Sequence, residues 1–316
     1  METPLLQAMV LAPGLRGTWM GPQSPSSAAT LLLHESRVGL ELAEGPQALV
    51  DALLADCRKR GVELRPGSVV RRIRVERGAV VGLELADGSV DASTVLSSIG
   101  PRRTLLELVE ARQVPDSLHR EVSCIRVRGT LARVSFGLKD RPEFRCRPDL
   151  EVTAAHVGDS PIALEKGFDH AKHRRMPKSP PLDIRVFPSD GGWVVSCLLR
   201  SAAFDLDGGW SPQRHQELGD EVAASLEGVI LGFRDSVVAR EVLTPADLAR
   251  RYGLEGGHEM HGELGLDQLH VLRPSRRLAR YRSGIDGLWL GSSGCHPGGG
   301  VTGRPGLLSA RALLRG

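Results

Sequence analysis

The 316-residue chain has no apolar run that approaches the roughly 20 residues a transmembrane helix requires. Its first residues, Met1 to Pro4, lack the basic start of a secretory signal, so the sequence predicts a cytoplasmic protein. Basic and acidic residues nearly balance, at 41 and 38, and form no block of one sign. Nucleic acid is therefore not an expected partner, because phosphate binding needs basic side chains gathered on one face.

Cysteine is scarce and widely spaced. The five cysteines include no CxxC pair, which argues against a disulfide scaffold and against dithiol redox chemistry. The pair His258 and His261 has a spacing of three residues, whereas helical zinc motifs use four and need a third ligand. No metal site is expected.

The composition that remains is that of an ordinary globular chain, with 41% hydrophobic and 25% charged residues. Apolar residues recur at helical spacing from Leu49 to Cys57, which predicts a helix over about 46–60. Segments separated by Arg77-Gly78 and Asp87-Gly88 predict an antiparallel meander over 69–91. Short apolar segments at 62–64 and 94–97 predict two more strands, as expected for an α/β unit.

The middle of the chain, about 101–256, has a different pattern of predicted elements. Three apolar segments predict strands, namely 127–138, 184–187 and 193–199. Ser211-Pro212 and Thr244-Pro245 predict helix starts, because proline is favoured at the first helical position behind a capping hydroxyl. A polar, proline-rich stretch over 139–181 is the least diagnostic region. These elements predict an α+β domain inserted into the α/β one.

A glycine-rich turn near the end of the chain is the sharpest local signal. A short strand predicted over 288–290 precedes it, and a helix predicted over 301–314 follows it. Seven glycines lie between Gly291 and Gly306, although glycine gives up side-chain packing and loses the most chain entropy on folding. This density indicates a ligand close to the backbone or a turn that needs positive φ, and a helix beginning there would favour an anionic or electron-rich group.

The turn, Leu-Trp-Leu-Gly-Ser-Ser-Gly-Cys-His-Pro-Gly-Gly-Gly-Val-Thr-Gly over 288–303, resembles the carboxyl-terminal flavin motif of the phytoene desaturase-like oxidoreductases. Further segments follow in the order of that family, namely 45–53, 67–73, 85–88, 95–104, 208–210, 261–270 and Arg273-Pro274. Together they cover nearly the whole chain.

The resemblance implies an α/β fold, an FAD-binding domain of the Rossmann-like, glutathione reductase type with an inserted α+β substrate domain. Residues 36–100 and 257–316 match the FAD-binding domain, and 101–256 match the substrate domain. Residues 1–35 match a substrate-domain or interface segment.

The resemblance also implies where FAD and substrate are bound. Cofactor contacts fall on the turn, at Gly291, Ser292, Gly294, Gly298, Gly299, Gly300, Val301 and Gly303. Val70 corresponds to a valine that meets the adenine, and His261 and Gln268 fall in a stretch that returns toward the flavin and lines the substrate pocket.

Two further residues have open interpretations. His296 either orients the flavin, exchanges a proton with substrate as a catalytic residue, or is a turn histidine bonded to backbone. Arg304 either reaches an acidic group of the substrate or of a partner, or is a solvated helix side chain.

One part of the family pattern is missing. Family members carry a strand, a GxGxxG turn and a helix that hold the pyrophosphate, and no such fingerprint precedes Gly45. The domain is therefore expected to be incomplete, which leaves the strands at 62–64, 94–97 and 288–290 with unpaired edges. Because unpaired backbone and bare apolar faces are costly, a separate subunit carrying GxGxxG is the expected partner.

The sequence therefore predicts one subunit of a split, heteromeric FAD-dependent oxidoreductase that is active as a complex. The expected reaction is dehydrogenation or desaturation of a C–C or C–N bond in a small organic substrate. Two alternatives stay open: a non-catalytic scaffold derived from such an enzyme, and a truncated fragment of a full-length one. The retained glycines disfavour the scaffold.

Overall fold

The computed structural model describes residues 3–35 and 45–315. Its helices are α1 Pro4–Gly14, α2 Ser27–Glu35, α3 Gly45–Lys59, α4 Pro101–Leu106, α5 Asp116–Ser123, α6 Pro161–Lys172, α7 Pro212–Glu227, α8 Phe233–Ser236, α9 Pro245–Tyr252 and α10 Arg304–Leu313. Its strands are β1 Val70–Glu76, β2 Ala79–Leu85, β3 Gly88–Asp91, β4 Val95–Ser97, β5 Ala132–Leu138, β6 Ala154–Val157, β7 Leu182–Ser189, β8 Gly192–Leu199, β9 Val237–Leu243 and β10 Leu288–Leu290. This mixture of helices, a parallel pair and antiparallel sheets confirms the predicted α/β class.

The first sheet is the predicted meander, β1–β2–β3, with both pairings antiparallel. Alternation along β1 turns Ile73 and Val75 inward, and Val80 of β2 joins them. They pack with apolar side chains from α4, α5 and the chain around β10, including Leu105, Leu118 and Leu288. The meander is thereby tied to the strand that precedes the glycine-rich turn.

The second sheet is a parallel pair, in which Leu288 lies opposite Val95 and Leu290 opposite Ser97. Both strands were predicted. All three residues of β10 are buried, whereas Leu96 in the middle of β4 is 42% exposed. Within the described residues β4 pairs with β10 alone, so its second edge carries unpaired backbone groups.

The segment from Gly45 to Ser68 shows the least burial. Helix α3 forms where the periodicity predicts it, yet none of its residues with a described side chain is buried, and Leu53 is 60% exposed. The strand predicted at 62–64 is not formed: Val62 and Leu64 are exposed in irregular chain. A strand needs a paired neighbour to satisfy its backbone, and the described residues place none beside this segment.

The third sheet has five antiparallel strands in the order β6–β7–β8–β5–β9. The predicted hairpin is present as β7 and β8, with Ile184 opposite Cys197. The inward residues of β5 alternate along the strand and pack under α7, whose apolar face presents Leu218, Val222 and Leu226. Most of the largest core cluster of the described residues lies here.

Two predicted boundaries need correction, and one stretch without a predicted element contains two elements. Strand β5 begins at Ala132 rather than at 127. The stretch 139–181 contains β6 and α6, and α6 begins at Pro161 behind the capping hydroxyl of Ser160, which accepts from the Ala163 N–H. The helix expected from 301 begins at Arg304, because Val301 and Gly303 have positive φ values of 54° and 64°.

The domain limits deduced from the resemblance stay predictions, and 36–44 lie outside the described residues. Within the described part of the chain, no helix combines the length and the apolar character needed to cross a membrane.

Candidate functional site

The carboxyl ends of β4 and β10 lie side by side because the two strands are parallel. Beyond β4 the chain passes through Gly100 into α4, and beyond β10 it enters the glycine-rich turn, residues 291–303. In α/β folds, ligands bind outside the carboxyl ends of parallel strands. This edge is therefore the expected place of a ligand site.

The first half of the glycine-rich turn is tightly packed. The Ser292 hydroxyl accepts from the Gly294 N–H at 3.1 Å, and the Cys295 N–H donates to the Ser292 carbonyl at 2.9 Å. A Cβ on Gly294 would lie 2.5 Å from Pro101 Cδ and 2.9 Å from the carbonyl oxygen of His261, so a larger residue does not fit. Burial raises the pKa of the Cys295 thiol to about 11, which indicates a space-filling thiol rather than a reactive one.

The second half of the turn is exposed to solvent, and we call it the bare half. Residues 300–303 are exposed, and the Val301 side chain is 85% exposed with a φ of 54°. Positive φ is rare for a β-branched residue and marks a conformation held for a reason other than local preference. The Thr302 hydroxyl accepts from the Arg304 N–H at 3.3 Å, which fixes the turn directly before the N-terminus of α10.

Two imidazoles beside the turn have a buried Nδ1 without a hydrogen-bond partner, those of His261 and His296. His261 lies against the β4–α4 turn, where a Cβ on Gly100 would be 3.6 Å from its Nδ1. Burial lowers the pKa of His261, so its ring is neutral near neutral pH. The His296 ring centroid lies 6.5 Å from that of His270. Buried polar atoms are normally satisfied, so these two nitrogens are exceptions among the described residues of this region.

Arg273 fastens this region together. Its side chain is 1% exposed and donates to the Ser293 carbonyl at 3.0 and 3.1 Å. It also donates to four carbonyls of the preceding loop, those of Met260, Gly262, Glu263 and Gln268. The loop that carries His261 is therefore held against the glycine-rich turn by one guanidinium.

Sequence reasoning gave Arg273 no role. It stood out only as part of the Arg273-Pro274 segment of the resemblance. Locally, Arg273 differs only in being a buried charged residue that lies between two buried leucines, Leu269 and Leu278. This position does not show which carbonyls accept hydrogen bonds from its guanidinium.

The amide of Gln268 is already engaged on both sides. Its oxygen accepts from the Arg126 N–H at 2.8 Å, and its nitrogen donates to the carbonyls of Arg126 and Glu263, each at 3.2 Å. Glu263 is itself buried and accepts from Arg126 and Arg128. Gln268 therefore shapes the loop beneath His261, and its polar groups are committed to backbone.

The other two predicted contacts belong to different elements. Val70 begins β1 in the meander, opposite Leu85. Arg304 is exposed in the first turn of α10. The structure thus brings His261 together with Gly294 and the end of β4, while the cofactor contacts assigned to Val70 and to the bare half of the turn stay predictions.

The chain is similar in sequence to several characterised or named proteins. Rat pyridine nucleotide-disulfide oxidoreductase domain-containing protein 2 is 30% identical over an alignment of 342 positions. The alignment covers 99% of this chain and 59% of the relative. A limonene dehydrogenase subunit of Castellaniella defragrans and the lycopene-forming phytoene desaturase of a Paracoccus strain are each 23% identical, covering 99% and 92% of this chain. The chain is similar in sequence to these three proteins. It spans 59%, 62% and 58% of their respective lengths. No family model matches it.

Solved structures agree on the fold. An oxidoreductase from Methanosarcina mazei superposes with a TM-score of 0.59 over 99% of this chain and 68% of its own, at 13% identity. Cyclohexylamine oxidase from Brevibacterium oxydans gives 0.52 over 84% of this chain and 51% of its own, at 12% identity. The likeness establishes a shared fold.

The residues at the β4–β10 edge fit the flavin that the resemblance implies. The bare half of the turn offers exposed residues and the apolar Val301, and the turn also carries His296, whose Nδ1 is buried without a partner, while His261 packs against Gly294 and Gly100. Glycine-rich backbone admits a planar ring system closely, and a helix N-terminus stabilises negative charge.

Proposed function

We propose that this chain forms part of an FAD-dependent oxidoreductase that dehydrogenates or desaturates a C–C or C–N bond of a small organic substrate. The observation that carries the proposal is the glycine-rich turn at the carboxyl edge of β4 and β10, of which residues 300–303 are exposed, together with the unpartnered imidazole nitrogens of His296 in the turn and His261 packed against it. Sequence similarity to the limonene dehydrogenase subunit and to phytoene desaturase, both named for redox reactions, supports the same class.

In this proposal each part of the site has a distinct task. A bound flavin supplies the acceptor for hydride from the substrate. The glycine-rich turn binds the ring system, and the N-terminus of α10 favours the negative charge that reduction adds. The neutral ring of His261 supplies a hydrogen-bonding group without introducing charge, and Arg273 holds it in position.

We further propose that a GxGxxG-bearing partner chain completes the site. Two features of the described residues support this: the second edge of β4 is unpaired, and α3 has an apolar face with no covering element. A parallel sheet is normally covered on both faces and extended on both sides of its centre. The relative from Castellaniella is itself named as a subunit.

Co-expression with a candidate GxGxxG protein tests the proposal directly. The pair should copurify and be yellow, with bound FAD visible in the absorption spectrum, while this chain alone should self-associate in light scattering. A colourless complex would favour the scaffold. If FAD bound only when this chain and the GxGxxG unit were joined in one polypeptide, the separate partner would be refuted. The proposed reaction class would be unaffected.

The glycine-rich turn is tested within that complex by Gly300→Val. Gly300 has a φ of 108°, so a β-branched side chain strains the turn and crowds the bare backbone, and FAD retention should be lost. Gly209→Val is the matched control, because Gly209 also has a positive φ, 74°, and open space around it. Equal FAD content in both variants would contradict our assignment of the turn.

A further inference from the structure

A short segment before β10 carries arginines on its outer side. Residues 276–282 include four arginines, and the sequence has no aspartate or glutamate between Asp267 and Asp286. Leu278 and Tyr281 interrupt the arginines, so the sequence shows no continuous block of one sign. The fold buries Leu278 and Tyr281 and leaves all four arginines exposed. We call residues 276–282 the arginine segment.

The positive charge of the arginine segment is largely uncompensated. None of its four arginines forms an ion pair with a described residue. The Arg277 side chain donates to the Ser117 hydroxyl at 3.0 Å, and the Arg282 guanidinium lies 5.0 Å from the centroid of the Trp289 ring. Glu121 accepts from the backbone N–H of Arg277 at 3.4 Å. Four positive charges therefore meet one carboxylate, and such a surface attracts an acidic group.

The backbone of the arginine segment is fixed to the rest of the protein. Leu278 has no exposed surface, and its carbonyl accepts from the Tyr281 N–H at 3.1 Å. Just before the segment, Arg273 donates to the Ser293 carbonyl of the glycine-rich turn. A surface that is already ordered loses little conformational freedom when a partner binds.

The arginine segment also lies on a defined side of the parallel strand pair. The Leu290 N–H donates to the Tyr281 carbonyl at 2.8 Å, and the Ser283 N–H donates to the Leu288 carbonyl at 3.2 Å. These bonds occupy one edge of β10, and β4 pairs with the other edge. A strand of the proposed GxGxxG partner would pair with the open edge of β4, on the opposite side. The arginine segment therefore serves a different contact.

The composition of the arginine segment favours an acidic protein as the occupant. Guanidinium groups bind carboxylates through two parallel hydrogen bonds, so several on one fixed surface match a face that carries several aspartates and glutamates. Docking in a lipid surface uses exposed apolar side chains, whereas Leu278 and Tyr281 are buried. Nucleic-acid binding is disfavoured because basic and acidic residues nearly balance over the whole chain, at 41 and 38.

We propose that the arginine segment is a docking surface for the acidic face of another protein, distinct from the GxGxxG partner. This inference goes beyond the proposed function and does not depend on bound FAD.

Fluorescence anisotropy of a labelled glutamate dodecapeptide, titrated with the full chain, tests the proposal. The peptide should bind, and raising NaCl from about 20 to about 300 mM should abolish binding, because salt screens exposed charges. The double variant Arg276→Gln, Arg280→Gln should bind the peptide about tenfold more weakly. Both side chains are exposed and form no ion pair with a described residue, so this variant should fold.

The double variant Arg60→Gln, Arg112→Gln is the matched control. It also removes two exposed arginines, but from ion pairs with Asp56 and Glu110, and it should bind the peptide as the unchanged chain does. No peptide binding, or equal weakening in the two double variants, would overturn the proposal. Tighter binding of a twelve-nucleotide oligothymidylate, or of phosphatidylserine–phosphatidylcholine vesicles, would overturn the choice of an acidic protein.

Discussion

The five-stranded sheet and the segment from Gly45 to Ser68 are opposite extremes of packing within one chain. Under the sheet, α7 buries Leu218, Val222 and Leu226 against the alternating inward residues of β5. Helix α3 has a comparable apolar face, centred on Leu53, on which no described side chain is fully buried. Both helices follow the same sequence pattern, so the difference lies in what covers them. An uncovered amphipathic helix marks a surface that another element is expected to cover.

The largest effect on stability is expected in the covered region. Leu226→Ala removes a fully buried side chain of α7 and should lower the free energy of unfolding by about 2–5 kcal/mol. Leu231→Ala, at an exposed leucine of the same region, should change it by no more than about 0.5 kcal/mol. Urea unfolding of the two variants measures this, and equal losses would mean that the core is wrongly placed.

An intermediate effect is expected at Arg273, which joins the loop 260–268 to the glycine-rich turn. Arg273→Lys keeps the charge but offers fewer donors than the guanidinium, so some of the carbonyls it now satisfies become unpaired. We expect a loss of about 1–3 kcal/mol in stability, together with weaker FAD retention in the complex.

Arg277→Lys, at an exposed arginine four residues later, controls for the exchange itself. It should leave both the unfolding free energy and the FAD content unchanged. If Arg273→Lys also left the unfolding free energy and the FAD content unchanged, this guanidinium would not be what holds the glycine-rich turn.

The smallest effect on stability is expected at α3. Leu53→Asp should change the unfolding free energy of the chain by no more than about 0.5 kcal/mol, because Leu53 is already exposed. The same variant should reduce self-association and prevent copurification with the GxGxxG partner. Ala55→Asp places the same charge on the opposite side of α3 and should leave pairing intact. If Leu53→Asp still copurified with the GxGxxG partner, α3 would not be part of the interface.

Local signals made much of this fold predictable. Proline behind a capping hydroxyl predicts the starts of α7 and α9. Ser160-Pro161 carries the same signal for α6, but it lies in a stretch whose polar composition does not favour a helix. Apolar segments around Ser189 to Gly192 located the β7–β8 hairpin. The apolar segment at 62–64 predicts a strand, but strand formation depends on a neighbouring strand that a local pattern does not supply.

The site was predictable only in part, for a related reason. Glycine density revealed the turn because close approach of backbone leaves a mark on local composition. The role of Arg273 depends on residues far from it in the chain, such as Met260 and Ser293. These residues meet only through the fold, so no spacing within one segment identifies them.

Hydrogen–deuterium exchange on this chain, alone and in complex with a GxGxxG partner and FAD, tests the central claim most directly. The account predicts new amide protection over 45–68 on adding the partner and over 291–303 on adding FAD, with 212–227 unchanged. Exchange over 45–68 and 291–303 that stays as fast in the yellow complex as in the chain alone would contradict it.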